Sequence, residues 1–412
     1  MPQLVLGLGS GFSRTLFSSA TFARNFATNK TLNHGTGPNI SFVRASAANY
    51  FNSAGVLTSA AVDEPRFDYD PVTLESKGLL VEVQRTNLVE RSAEFDNAYW
   101  AKGAAGTGSV PVVTANAATA PDGTTTADQI DFNRGAGNTG SDFSQLNRSI
   151  TIAVTGDYTQ TIWLKAATGA DVGKQIAIRN VAGASYLVIT LTADWVRYAR
   201  TENTTTLGSK TFDLINRATY SADNTVSVLA WGAQLEVGSF ASSYIGTAGA
   251  SVTRASDLPV VTPISSFYNQ DEGTVFVQQS QVAIGLSSRF LEISNSDASF
   301  RKPLLSIGAS NTTSFTTLGG ATNGVSGSGN TVSANTVYKV ACAYKTNDFR
   351  GALNGTIQTA DTTVDVTTPI VDRMTIGYST SAPTTQISSH IQKVEYYPTR
   401  LTDARMQYLT TL

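Results

Sequence analysis

The sequence predicts an all-β protein: two antiparallel β-sandwiches of jelly-roll type behind an extended N-terminal attachment region. Short runs alternate apolar and polar residues, clusters of Gly, Asn, Asp and Thr separate the runs, and helical periodicity is scarce. Alternation with period two sends successive side chains to opposite faces of a strand. One face can then pack on a second layer.

The strands expected on this basis include Gly78–Val83, Tyr158–Lys165, Tyr186–Leu191, Thr225–Trp231 and Gly273–Gln278. Asn354-Gly355 fits a two-residue hairpin turn, since both residue types tolerate positive φ. The clearest helix closes the chain at Thr402–Leu409. There Thr402 can cap, and Ala404, Met406 and Leu409 can face a core. The polar stretch Ala27–Gly37 resembles an extended arm more than a core segment.

At 412 residues the chain is long for one core, and about 150 residues per domain suggests two or three. We divide it at 1–95 (arm and attachment region), 96–257 (first sandwich with its connector) and 258–412 (second sandwich). All four tryptophans fall in the middle region. A short echo, Phe42-Val-Arg-Ala-Ser46 and Val252-Thr-Arg-Ala-Ser256, reads either as two equivalent strands or as coincidence.

Charged residues make up 15% of the chain, against the usual quarter or so, while apolar residues hold 41%. Such surfaces suit faces that meet proteins or sugars, because a Lys or Glu buried at an interface must be desolvated. A neutral, Thr-rich β protein fits the same numbers. The net charge is −2 and no Lys/Arg run appears, so the basic footprint that nucleic acid requires is missing. The first ten residues, Met1 to Ser10, are Gly-interrupted and lack a basic start, unlike a signal peptide. No window approaches the roughly 18 apolar residues of a membrane span. The expectation is a product made in the cytoplasm that leaves by another route, such as cell lysis. Cys342 is the only cysteine and lies in the apolar run Tyr338–Tyr344, which points to core packing rather than a reactive thiol.

Candidates for catalysis are few. The two histidines are His34, in the polar arm, and His390, in an alternating run. Neither has a triad context, and no His/Cys spacing suits zinc. Asp68 and Asp70 stand two apart, as a glycosidase pair on one strand face would. Arg66 just before them favours a salt bridge or turn instead. We therefore expect no enzyme, no cofactor and no metal, with a polysaccharide depolymerase as the lesser alternative.

Sugar binding is the live functional class, because aromatic rings stack on sugar faces. Trp163 and Trp231 alternate with apolar neighbours and read as core. Trp100 and Trp195 flank polar segments and are the better platform candidates, with core packing as the competing reading. Tyr378 and Tyr396 are the candidates in the C-terminal region. Near the N-terminus, Leu4, Val5, Leu6 and Leu8 could add a strand to a partner and dock the chain; a disordered tail is the other reading.

The order of several motifs carries a resemblance. Phe42–Phe51 leads into Pro65-Arg-Phe-Asp-Tyr-Asp-Pro71 and then Gly78–Leu88. Phe95–Trp100, Ala120–Asp128, Trp231–Phe240, Ser243-Tyr-Ile245 and Val252–Ala255 follow. This succession resembles the carbohydrate-binding-module-like sandwich of tailed-phage tail, fiber and other virion proteins. Gly273–Val277, Leu304–Gly308, Val337–Ala341 and Asp372–Gly377 resemble a concanavalin-like, laminin-G-type domain. The resemblance implies a fiber, spike or decoration element on the exterior of a phage particle. It would contact other virion proteins through its N-terminal region, form a homo-oligomer (by analogy with fibers, a trimer) and grip host-surface polysaccharide. A decoration or cement protein that never touches the host is the alternative.

Overall fold

The computed structural model describes residues 19–179, 186–282, 288–296, 301–307, 312–318, 325–366, 370–380 and 388–411. Leu4, Val5, Leu6 and Leu8 lie outside the described residues. Apart from two short helices and a 3-10 turn, the regular structure is β-strand, as the alternating runs predict. The chain divides into two compact units, one of residues 42–258, the other of residues 1–41 with 259–412.

In the first unit two five-stranded antiparallel sheets enclose the main core. One runs in the order Ser109–Ala118, Ala127–Asn133, Thr225–Val237, Gly156–Ala166, Val196–Thr204. The other runs Leu187–Thr190, Gln175–Arg179, Gly208–Arg217, Phe143–Ile152, Ala101–Ala105. Ile130, Ile162, Leu164 and Val228 of the first pack with Leu146, Ile176, Ile178, Phe212 and Leu214 of the second. Trp163, between Ile162 and Leu164, points the opposite way by strand alternation. There it joins Leu57, Ala120, Ala127, Trp231 and Tyr244 in a smaller cluster on the outer face of its sheet. Trp163, Trp231 and Tyr244 pack mutually, with ring centroids 4.6–5.4 Å apart. Gly232 makes this possible: its φ is +67°, and a Cβ there would lie 2.7 Å from the Trp163 ring.

The two echo segments converge. Arg44 pairs with Asp257 at 3.1 Å and Arg254 pairs with Glu82, while Arg66 bridges Glu82 (2.7 Å) and Asp257 (2.5 Å). The Ser46 hydroxyl accepts from the Ala255 amide at 2.9 Å. Burial alone would raise the Glu82 carboxyl, but Arg254 and Arg66 outweigh it and hold it well below the usual carboxylate range. This cluster stitches residues 44–83 to residues 243–257 within the unit.

In the second unit, strands Gly35–Thr36, Phe22–Asn25, Ser389–Tyr397, Glu272–Gln281, Val337–Lys345, Arg350–Leu353 and Thr356–Ile357 follow one another across one sheet. Another carries Val325–Thr331, Thr312–Leu318, Arg301–Ile307, Ser288–Ser294, Arg373–Ile376 and Leu258–Val261 in that order. Asn354 and Gly355 turn with φ of 44° and 80°, the left-handed pair expected of them. The helix Asp403–Thr410 is capped by Thr402, whose side chain accepts from the Arg405 amide. Met406 is buried, but Ala404 is exposed, contrary to its expected inward face.

The three-part division differs from this arrangement. By these units residues 1–95 are shared between two bodies. Residues 42–95 belong to the first unit, and strand Phe22–Asn25 pairs with Ser389–Tyr397 of the second. Nor is the segment around Ala27–Gly37 an extended arm. It wraps the buried Arg24, whose guanidinium donates to the carbonyls of Leu32, Thr36 and Pro38. A segment too short for its own core gains one by joining an existing sheet, where Phe22 and Phe26 become fully buried.

Candidate functional site

Of the four expected sugar-stacking aromatics, the structure buries two. Trp100 is 2% exposed and sits in the inter-sheet core, with its ring 5.1 Å from Phe95 and 5.5 Å from Phe212. Its indole nitrogen donates to the Arg91 carbonyl at 3.0 Å. Tyr396 is fully buried, and its hydroxyl hydrogen-bonds Tyr344 at 2.8 Å and accepts from the Asn269 amide at 2.9 Å. Both are core residues and neither can meet a sugar. Tyr378 is half-buried, and burial pushes its phenol up to about 12.

Trp195 is placed differently. It stands just before the edge strand Val196–Thr204, half-buried, its indole nitrogen donating to the Thr119 carbonyl at 3.1 Å. Beside it opens a cleft of about 550 Å³, walled by Trp195, Trp163, Phe51, Pro71, Val72 and Pro121, with Asp194 and Arg197 among its lining. That volume falls within the usual range of small-ligand sites.

Each wall is set by local structure. Phe51 ends the strand Ala48–Phe51, and its amide donates to Asp68 Oδ1 at 2.7 Å. Asp68 thus holds backbone, as a turn residue would. Pro71 and Val72 lie in a turn where Asp70 accepts from the amides of Val72 and Thr73, both at 3.0 Å. The Thr73 amide, with that of Val72 and with Lys77, draws the Asp70 carboxyl down to about 2. Val72 is left 86% exposed. Arg197 lies over the Trp163 ring, 4.5 Å from its centroid, and donates to the Ser242 carbonyl at 2.7 Å and Thr161 Oγ1 at 3.0 Å. Burial lowers its guanidinium to about 10.

This arrangement presents surfaces suited to binding. It offers ring faces, proline edges and a fixed cation, with Asp194 as the lone carboxylate of its lining. Glycoside hydrolysis in its usual form needs two. A smaller cleft of about 280 Å³ lies between Ser46–Asn49 and Val252–Arg254, where the Asn49 amide is already committed to the Tyr244 carbonyl at 3.0 Å. His34 is exposed, and His390 is buried on strand Ser389–Tyr397. Cys342 is fully buried, and burial raises its thiol. Among the described residues no group of three or more His, Cys, Asp or Glu is placed to hold a metal, and no helix is long and apolar enough to cross a membrane.

Phe51, Pro71 and Pro121 escape a reading of single residues. Phe51 and Pro71 end two of the motif segments quoted above and Pro121 is second in a third, and the fold brings those segments to one place.

No family model matches the chain, and no curated protein matches it. Similar solved structures include the CBM40 of Ruminococcus gnavus IT-sialidase bound to α2,3-sialyllactose, at 13% identity and a TM-score of 0.31. That match covers 35% of this chain and 84% of the other. The sialidase of Trypanosoma rangeli in complex with the inhibitor DANA is matched at 15% identity and TM-score 0.31, over 37% of this chain and 25% of that one. Botulinum neurotoxin type C, from work on its interaction with two ganglioside molecules, is matched at 11% identity and TM-score 0.29, over 37% and 39%. Likenesses of this size carry no information on ligand, so the chemistry of the cleft is read from its own residues.

Proposed function

We propose that this chain is a non-catalytic component of a tailed-phage particle that holds host-surface glycan in the Trp195 cleft. The observation that carries the binding role is the cleft itself: a half-buried indole, a phenyl ring and two prolines left uncovered, with one carboxylate beside them. Apolar side chains of this kind stack on the C–H faces of sugars, and exposed patches of them mark interaction sites. The virion role rests on the motif order between Phe42 and Ala255. In that role the N-terminal residues dock on other virion proteins, and a homo-oligomer presents several copies of the cleft. Weak single sites then act together through their effective concentration.

The test uses the purified full-length chain, host cells and extracted surface polysaccharide, with sugar release assayed in the same tubes. Saturable binding without release is expected. Absence of binding by intact oligomers contradicts the adhesin role and leaves a decoration protein. Release of reducing ends establishes a depolymerase instead.

A further inference from the structure

We propose that the outer face of the second sheet of the first unit carries a separate site for a carboxylated sugar, with Arg217 as the group that binds the carboxylate. Leu146, Ile176, Ile178, Phe212 and Leu214 of this sheet face the core. By alternation Phe143, Gln145, Asn147, Arg179, Asp213 and Arg217 face the other way. Register places Arg217 opposite Phe143 and Asp213 opposite both Asn147 and Arg179.

Arg217 is the unmatched charge on this face. Its guanidinium carbon lies 4.9 Å from the Phe143 ring centroid and 5.8 Å from that of Tyr186, so two rings orient its plane. Among the described residues it makes no hydrogen bond through that guanidinium, and its Nε is buried without a partner. Asp213, the nearest carboxylate on the strand, is already taken. Its Oδ2 meets Arg179 at 2.5 Å and the Tyr186 hydroxyl at 3.1 Å, and its Oδ1 accepts from Gln145 at 3.0 Å. A buried donor left unmade costs free energy, and a guanidinium fork matches a carboxylate with two parallel hydrogen bonds.

The surroundings favour a sugar over a bare anion. Tyr186 and Tyr220 pack tilted, with centroids 4.7 Å apart and 32° between planes, and Arg179 lies 5.0 Å from the Tyr186 centroid, so aromatic surface gathers beside the cation. The Asn147 amide, without a side-chain hydrogen bond among the described residues, is available to hydroxyls. The adjoining strand Ala101–Ala105 is mostly small, and a Cβ added at Gly103 would meet nothing within 4 Å, so the sheet is open there. None of these groups lines the Trp195 cleft, so the two sites stand or fall separately.

The experiment titrates the full-length chain with polygalacturonate, alginate, hyaluronate and polysialate, and with the methyl ester of each polymer that binds. At least one acid polymer should bind, with affinity falling as salt rises. R217Q should weaken that binding tenfold or more, R217K should recover part of it, and esterification should weaken it as R217Q does. Thermal unfolding of R217Q should stay close to that of the parent, because among the described residues the guanidinium has ring contacts but no hydrogen bond to lose. The proposal is overturned if none of the four polymers binds, if R217Q binds like the parent, or if the ester binds as well as the acid.

Discussion

Around Asp257, five charged side chains are buried and paired, whereas beside Trp195 a group of apolar side chains is left uncovered. Both depart from the usual sorting of charge outward and apolar surface inward. In the cluster of Arg44, Arg66, Glu82, Arg254 and Asp257, each charge has an opposite partner at close range, and Ser243 supplies further hydrogen bonds to Glu82. Desolvation is met inside the fold, so the cluster has a structural role. The cleft contains no such compensation: Phe51, Pro71, Val72 and Trp195 present apolar surface that nothing else among the described residues of the unit covers. Completed interactions point to the scaffold, and interactions left open point to a ligand.

Breaking the cluster should have the largest effect. D257A leaves Arg44 and Arg66 short of a partner in the interior, and loss of one member of a buried ion pair costs about 3–5 kcal/mol. Chemical denaturation should show that loss; a change under 1 kcal/mol would mean the cluster is dispensable. W100A belongs beside it, at roughly 3–5 kcal/mol for emptying a core indole site. A W100A protein that keeps full stability but loses glycan binding would return Trp100 to the list of site residues.

Acid sharpens the same contrast. The folded Glu82 carboxyl is held below its unfolded value of 4.5 by Arg254 and Arg66 against its burial. Its contribution is therefore fully present above that pH and is lost as pH falls toward the folded value. Stability measured from pH 6 downward should begin to fall near pH 4.5, and E82Q should show a shallower fall over that window. G232A tests the ground beneath the cleft. It forces a side chain to φ +67° and against Trp163, at a cost of about 1–3 kcal/mol. The smallest expected effect on stability is that of W195A, below about 1 kcal/mol, because its ring is only half-buried and its loss opens no core cavity.

How much of this was legible depends on whether the information is local. Trp163 and Trp231 read as core because their apolar neighbours are adjacent in sequence, and both are buried. The terminal helix and the Asn354-Gly355 turn were legible for the same reason. Trp100 and Trp195 look alike in sequence, each beside a polar segment. What separates them is Phe95 and Phe212 closing over Trp100, and no period reveals a contact with Phe212. Tyr396 fails likewise, since its partners Tyr344 and Asn269 come from distant segments. The arm expected before residue 95 was lost to a sheet edge contributed by the far end of the chain. Arg217 could not be singled out at all, because its lack of a hydrogen-bond partner among the described residues follows from Arg179 and Gln145 engaging Asp213 across neighbouring strands.

Equilibrium binding of W195A and the parent chain to the same host-surface polysaccharide asks whether the Trp195 cleft holds the glycan. W195A should lose at least tenfold in affinity, about 1.4 kcal/mol, with unfolding unchanged within about 1 kcal/mol. Equal affinity of the two proteins would contradict it, and would show that the open apolar cleft is not where glycan is held.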